Sequence, residues 1–490
     1  MTEATFTERA EKFVIDLMRE QYLVGAGLKE NLELVPIYTR NADLFAEPTV
    51  RERIAAMNRD AKSKSARHLA DFSASGYIEN AIKELGEAIT NAELKAIIHW
   101  DEKEIPYHSI RSVLVREPNC RRRHELNRKQ LDVMVKQNPM RVQRIKAQHE
   151  IARNLGFADY RAMVERLRGW DLPTFAKQLD PLVKKTTDIF DEQLGRHLSA
   201  ARVPRNEAET SDVAYIMRAS DFDPLFQADR LVPSLQKTIA LMGIPLDSTP
   251  GLVLDTDARP LKSPRAFCAP VRIPKEVYLV IKPIGGVDDY HALFHEAGHA
   301  EHFSHISGDL PFELRYLGDE AISETFAFLF EHLTTNPRWL VDILRLPLKE
   351  AERYHQFALF TKTWMLRRYI GKLNYELVMH KDGPEGMEDA YTKFLGDTLH
   401  VNISPERYLD DVDDAFYVAG YLRAWVFEVQ LRRFLEEQFG ASWYEKQPAG
   451  GFLKSLWTVG LQNSVDEIAQ QHIGAQGIDP KSLIEELSNR

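Results

Sequence analysis

Apolar positions recur at a spacing of three to four along most of the chain, the pattern of amphipathic helices. From Thr5 to about Leu32, residues Phe13, Ile15, Leu17, Met18, Tyr22 and Leu23 keep near-helical spacing, and Thr5 with Glu8 is the expected capping box. Pro36 and Pro48 bracket a break, after which long helical patterns run to about His99. Segments 120–136 and 139–155 read as two helices parted near Asn138-Pro139, and another run covers 174–200. Period-two patterning is rare. Only Arg265–Ala269 and Glu276–Lys282 read as strands, with Pro270 and Pro274 between them and Pro283 and Gly285-Gly286 closing the second. After residue 290 the helical period returns almost to the end, broken near Pro337, Pro347, Gly383-Pro384, Pro405 and Gly450-Gly451. The pattern predicts a mainly α protein with one small β-sheet. Residues 202–260 are richer in Pro and Asp, so short helices and turns are expected there. A weak boundary near 255 separates a helical lobe, 1–255, from a second lobe, 256–490, with one continuous domain as the alternative.

Composition changes this picture little. At 490 residues, 44% of them hydrophobic and 28% charged, the chain can bury a large core. Its net charge, 63 − 73 = −10, gives no global support to a nucleic-acid partner. A local basic run (Arg116, Arg121, Arg122, Arg123, Arg128, Lys129, Lys136, Arg141, Arg144, Lys146) lacks interleaved aromatics for base stacking. It reads as a solvated helix face or the positive wall of a cleft. Two cysteines, Cys120 and Cys268, make no disulfide framework. The first residues carry acids where a secretory leader carries basic and apolar runs, and no apolar stretch nears the roughly 18 residues that span a bilayer. A soluble cytoplasmic protein is expected, with no membrane partner.

The chemistry concentrates in His295-Glu296-Ala297-Gly298-His299. Histidines four apart on a helix project from one face and can share one ion, as zinc requires. Glu296 lies about 100° round the helix, placed to take a proton from an activated water. A third ligand is needed. The continuation with Gly at +7 and His at +10 fails: His305 stands at +10, but +7 is His302, and a straight helix carries His305 about 15 Å along. His302 and His305 then read as surface or cleft histidines. The other continuation draws a carboxylate from a second helix. Asp319–His332 is strongly apolar yet places Glu320, Glu324 and Glu331 on one side, so one glutamate is expected to bind metal while a neighbour orients an imidazole.

The motif followed by Glu324, 29 positions after His295, with Glu331 seven further, resembles the thimet oligopeptidase and oligoendopeptidase F family of zinc metallopeptidases. Arg265–Ile281, Asp288–Phe294, Gln148–Tyr160, Phe452–Leu461 and Asp466–Ala469 are similar to other stretches of that family. The resemblance implies a two-lobed, nearly all-helical fold with a deep channel, in which 256–490 is the catalytic lobe. It implies one Zn2+ per chain on His295, His299 and Glu324, with Glu331 and Glu320 supporting and Glu296 as general base. An angiotensin-converting-enzyme-like alignment instead makes Glu320 the ligand and Glu324 its supporter. Tyr421, then Tyr417, match the family's oxyanion-binding tyrosines, while Ala424 stands where relatives have a third. Ala266, Phe267 and Cys268 offer a strand edge to an extended substrate. The implied activity is hydrolysis of internal bonds in short unstructured peptides, by a monomer or homodimer. The alternatives are a carboxypeptidase or dipeptidyl carboxypeptidase, with Arg423 or Lys282 holding the C-terminal carboxylate, and a non-catalytic peptide-binding scaffold.

Overall fold

In the computed structural model, which describes residues 2–488, helices dominate and the described strands form two small sheets. The mainly α expectation holds. The chain divides into two compact units: Met1–Ala74, Ser220–Ala358 and Arg423–Leu483 make the first, and Ser75–Ala219, Leu359–Leu422 and Ile484–Arg490 the second. The boundary expected near 255 falls inside the first unit. Four of the five crossings lie within helices, Lys64–Lys95, Leu348–Asp382, Tyr417–Phe439 and Lys481–Ser488, and only the one at Ala219–Ser220 falls between elements, in the stretch richer in Pro and Asp.

Three of the strands were not expected from sequence, and two of them, β1 (Ile97–Trp100) and β2 (Lys103–Pro106), form an antiparallel hairpin in the second unit. Its turn uses Asp101 and Glu102 at positive φ, where a glycine would ordinarily announce a two-residue hairpin. In the same unit Arg116, Arg121, Arg128, Lys136 and Lys146 of the basic run are exposed, as expected of a solvated face, while others form internal ion pairs. Arg123 is wholly buried and binds Asp212 at 2.6 Å, Arg141 meets Glu93 and Asp410, and Arg144 meets Asp414.

The first unit positions the motif. Its N-terminal helix, Glu3–Gly25, is capped by Thr2, whose side chain accepts from the Thr5 N–H; Thr5 already lies in the helix, so the cap is three residues earlier than expected. Phe6, Ala10 and Phe13 bury its inner face against Leu44, Phe45, Leu69 and Phe312. A three-stranded sheet follows in the order β3-β5-β4. The unexpected β3 (Leu252–Asp255) runs parallel to β5 (Glu276–Val280), which is why residue 255 ends no lobe. The remaining strand, β4 (Phe267–Arg272), lies at the sheet's edge, and its ladder slips between Pro270 and Arg272. Proline is tolerated at such an edge, so Pro270 lies within the strand instead of ending it.

Beyond the sheet come the helix that carries the motif, Val287–His305, and the acidic helix, Glu320–Leu333. They touch backbone to backbone. A Cβ at Gly298 would lie 2.4 Å from the Phe326 carbonyl oxygen and 2.6 Å from Ala327 Cα, so only glycine admits this approach.

Candidate metal centre

Close approach at Gly298 brings the two imidazoles against the acidic helix. Glu324 Oε2 lies 3.4 Å from His295 Nε2 and 3.7 Å from His299 Nε2. These three residues form a group whose ligand atoms all lie within 4.8 Å of one another. Glu324, not Glu320, is the carboxylate so placed; Glu320 is the first residue of its helix, one turn away.

The far nitrogens are held. His295 Nδ1 is 2.9 Å from Glu331 Oε2, a carboxylate that accepts its N–H. His299 Nδ1 is hydrogen-bonded to Ser323 Oγ at 2.7 Å. With Nδ1–H engaged in this way, each neutral imidazole turns its Nε2 lone pair toward the Glu324 carboxylate. Glu324 Oε2 is buried and makes no hydrogen bond. Lone pairs converging in this way repel unless a cation lies between them. In the protein alone a proton supplies that charge. Burial works against it, but the neighbouring carboxylates of Glu324 and Glu331 raise His295 to about 10, while burial lowers His299 to about 4. Two nitrogens, each oriented from behind, and one carboxylate oxygen suit Zn2+ and leave a coordination position open.

Among the described residues a second grouping of potential ligands occurs, Cys120, His124 and Asp212 in the second unit. It differs in one respect. Asp212 Oδ1 accepts from Arg123, and Oδ2 meets His124 Nε2 at 2.7 Å and accepts the Glu209 N–H. Those bonds consume the carboxylate and close a helix cap, so this cluster needs no ion.

Glu296 points at the sheet. Its Oε2 accepts the Cys268 N–H of β4 at 2.8 Å. Burial raises its pKa, opposed by His295 and by that N–H. The same bond modifies the expected strand edge: β4 is an edge, but its N–H at Cys268 is already occupied by Glu296. Ala266 precedes the strand and is buried, and Phe267 lies against Gly25 of the N-terminal helix.

The tyrosines belong to the second unit, where Tyr417 and Tyr421 have ring centroids 4.9 Å apart and Tyr369 packs edge-on against Tyr421. Ala424 is wholly buried in the first unit, its carbonyl near the Thr325 hydroxyl. His302 is no surface residue: it is completely buried against Phe326, and burial lowers its pKa to about 3. His305 is mostly buried too, hydrogen-bonded to the Glu301 carbonyl and packed on Trp457. Both reflect a helix enclosed beyond its motif face. Arg423 pairs with Asp466 and Asp319 and is buried, which removes it as a carboxylate anchor; Lys282 is half-buried just after β5. Sequence reasoning missed Ser323, whose one signal was a hydroxyl beside Glu324 in an apolar helix. It also missed His291, whose Nε2 is 2.7 Å from the Tyr354 hydroxyl.

No protein-family model matches the chain, and no curated protein matches it. Solved structures do. The fold is shared with solved structures of peptidases. A provisionally named oligoendopeptidase F from Bacillus anthracis str. Ames is 14% identical with a TM-score of 0.61, over 96% of this chain and 87% of that one. PZ peptidase A, solved with an inhibitor, is 14% identical with a TM-score of 0.63, over 99% and 97%. A provisionally named peptidase from Chlamydophila abortus is 13% identical with a TM-score of 0.66, over 99% and 89%.

Proposed function

We propose that this chain is a zinc-dependent peptidase of the oligoendopeptidase F type, hydrolysing internal bonds of short, unstructured peptides. The observation that carries the reading is the convergence of His295 Nε2, His299 Nε2 and Glu324 Oε2 beside Glu296. The likeness to oligoendopeptidase F and PZ peptidase structures supports it. Zinc bound there supplies Lewis acidity, polarising the scissile carbonyl and acidifying water.

The chain's own residues do the rest. Glu331 and Ser323 fix the imidazole rotations, so both Nε2 atoms stay aimed without reorganisation. Cys268 N–H anchors Glu296 Oε2 and leaves Oε1 to take a proton from the attacking water. A carboxyl raised by burial is a stronger base than an exposed one and can afterwards release that proton to the departing amine nitrogen.

The test compares wild type with Glu296→Gln on internally quenched peptides carrying free or amidated C-termini, with zinc content measured on both proteins. The wild type is expected to bind about one zinc per chain and to cleave both peptide forms, while Glu296→Gln keeps its zinc and loses at least a hundredfold in kcat/KM. Equal cleavage by both proteins sinks the mechanism. Cleavage of free but not amidated peptides makes the activity that of a carboxypeptidase.

A further inference from the structure

A groove of about 360 Å3 lies between the N-terminal helix and the β4 edge, walled by Met18, Tyr22 and Gly25 on one side and Ala266, Phe267 and Cys268 on the other. Carbon dominates this lining; Gln21 and Arg265 contribute polar groups. The walls are fixed rather than incidental. Arg19 binds Glu276 at 2.6 Å, Tyr22 stacks on Tyr278 with centroids 3.7 Å apart, and the Ser263 N–H donates to the Gly25 carbonyl at 2.8 Å. Gly25 sets the helix close to Phe267: a Cβ there would lie 2.7 Å from Phe267 Cζ. A mostly apolar groove held open in this way is shaped to receive an apolar group.

The groove and the candidate metal centre meet at one residue. Cys268 lines the groove, and the Cys268 N–H is the one bound to Glu296 Oε2. A peptide held at Glu296 therefore lies within a residue or two of the groove, because alternate side chains of an extended peptide repeat at about 7 Å. Apolar cavities of about 150 Å3 accept a benzene ring. The groove has room for one such ring with its connecting backbone.

We propose that this groove is a specificity pocket that takes one large apolar side chain, aromatic or leucine-like, of the peptide processed at the adjacent centre, and that Met18 sets its depth. The assignment rests on the peptidase reading for its substrate and on the groove's own walls for its selectivity. Alanine in the same position leaves the groove unfilled, so a preference of about tenfold or more for phenylalanine follows.

The experiment uses the zinc-loaded full chain as wild type, Met18→Trp and Met18→Ala, with folding checked by circular dichroism and thermal melting. Quenched peptides vary Ala, Leu and Phe at each of the three positions on either side of the cleaved bond. Binding of the same peptides is measured in parallel by fluorescence anisotropy. At one position the wild type is expected to prefer Phe over Ala by at least tenfold. Met18→Trp brings that ratio close to one, and Met18→Ala keeps or widens it. Cleavage with no preference, or a preference untouched by Met18→Trp, overturns the pocket and leaves the peptidase reading standing. Phenylalanine-dependent binding that Met18→Trp abolishes, without cleavage by any form, supports the pocket and sinks the peptidase. Neither binding nor cleavage sinks both.

Discussion

Replacing Glu331 by glutamine tests whether the centre is oriented from behind. The change keeps the size of the side chain, removes its charge, and replaces an oxygen that accepts the His295 Nδ1–H at 2.9 Å with an amide able to present NH2 instead. The contact with His295 is the direct one, so the effect on metal is expected to pass mainly through His295. Losing a partner of this kind typically lowers metal affinity by about 10–100-fold, which is about 1.4–2.7 kcal/mol. The Glu331 side chain is 31% exposed, against 15% for His295 and 11% for Glu324, so water screens part of its charge. A loss nearer tenfold is expected. Ser323→Ala removes a neutral partner of His299 and should cost less. Competition of the chelated, zinc-free proteins against a chromogenic chelator at fixed pH reads both constants. If Glu331→Gln stays within threefold of wild type with its thermal midpoint unchanged, His295 does not depend on Glu331 and the orienting role is wrong.

Glu324→Ala leaves two imidazoles and is expected to lose zinc on gel filtration, whereas Glu320→Ala retains it; the reverse result would make Glu320 the ligand. Gly298→Ala drives a methyl into the Phe326 carbonyl, so a loss of about 1–3 kcal/mol or more is expected in urea unfolding, and an unchanged midpoint would deny the backbone contact. In the second unit, burial, with the neighbouring His149 second, lowers buried His380 to about 3. Its folded value lies below the unfolded one of about 6.5, so its contribution is present above pH 6.5 and lost as pH falls toward 3. Between pH 6.5 and 5 this loss comes to roughly 2 kcal/mol, and His380→Asn should lack it; identical pH dependence in the two proteins would refute the assignment.

Helix spacing and the acidic helix were legible because each is a local pattern: His295 with His299, and Glu324 with Glu331, need only the period of one helix. What stayed hidden depends on partners far along the chain. Burial of His302 requires the acidic helix to cross at Gly298. Cys268 reaches Glu296 through a backbone N–H that carries no side-chain signature. The β1–β2 hairpin escaped because Asp101 and Glu102 adopt positive φ without glycine. The boundary near 255 was misplaced because β3 pairs with a strand that follows it, and four of the five crossings occur inside continuous helices.

Assembly of the first unit from three stretches of sequence bears on the order in which a growing chain can fold. The N-terminal helix waits for Glu276 and Tyr278 to pair with Arg19 and Tyr22, and Lys64 meets Glu467 at 2.9 Å across a separation of 403 positions. Such distant closures are slow. On the ribosome, the Arg19–Tyr22 side of the opening helix remains without Glu276 and Tyr278 until more than half of the protein has been made, exposed to other chains, whereas the Phe6–Phe13 face meets Leu44, Phe45 and Leu69 early and waits only for Phe312. Expression at lower temperature or with holdase chaperones should therefore raise soluble yield, and a fragment beginning at 256 should not fold by itself.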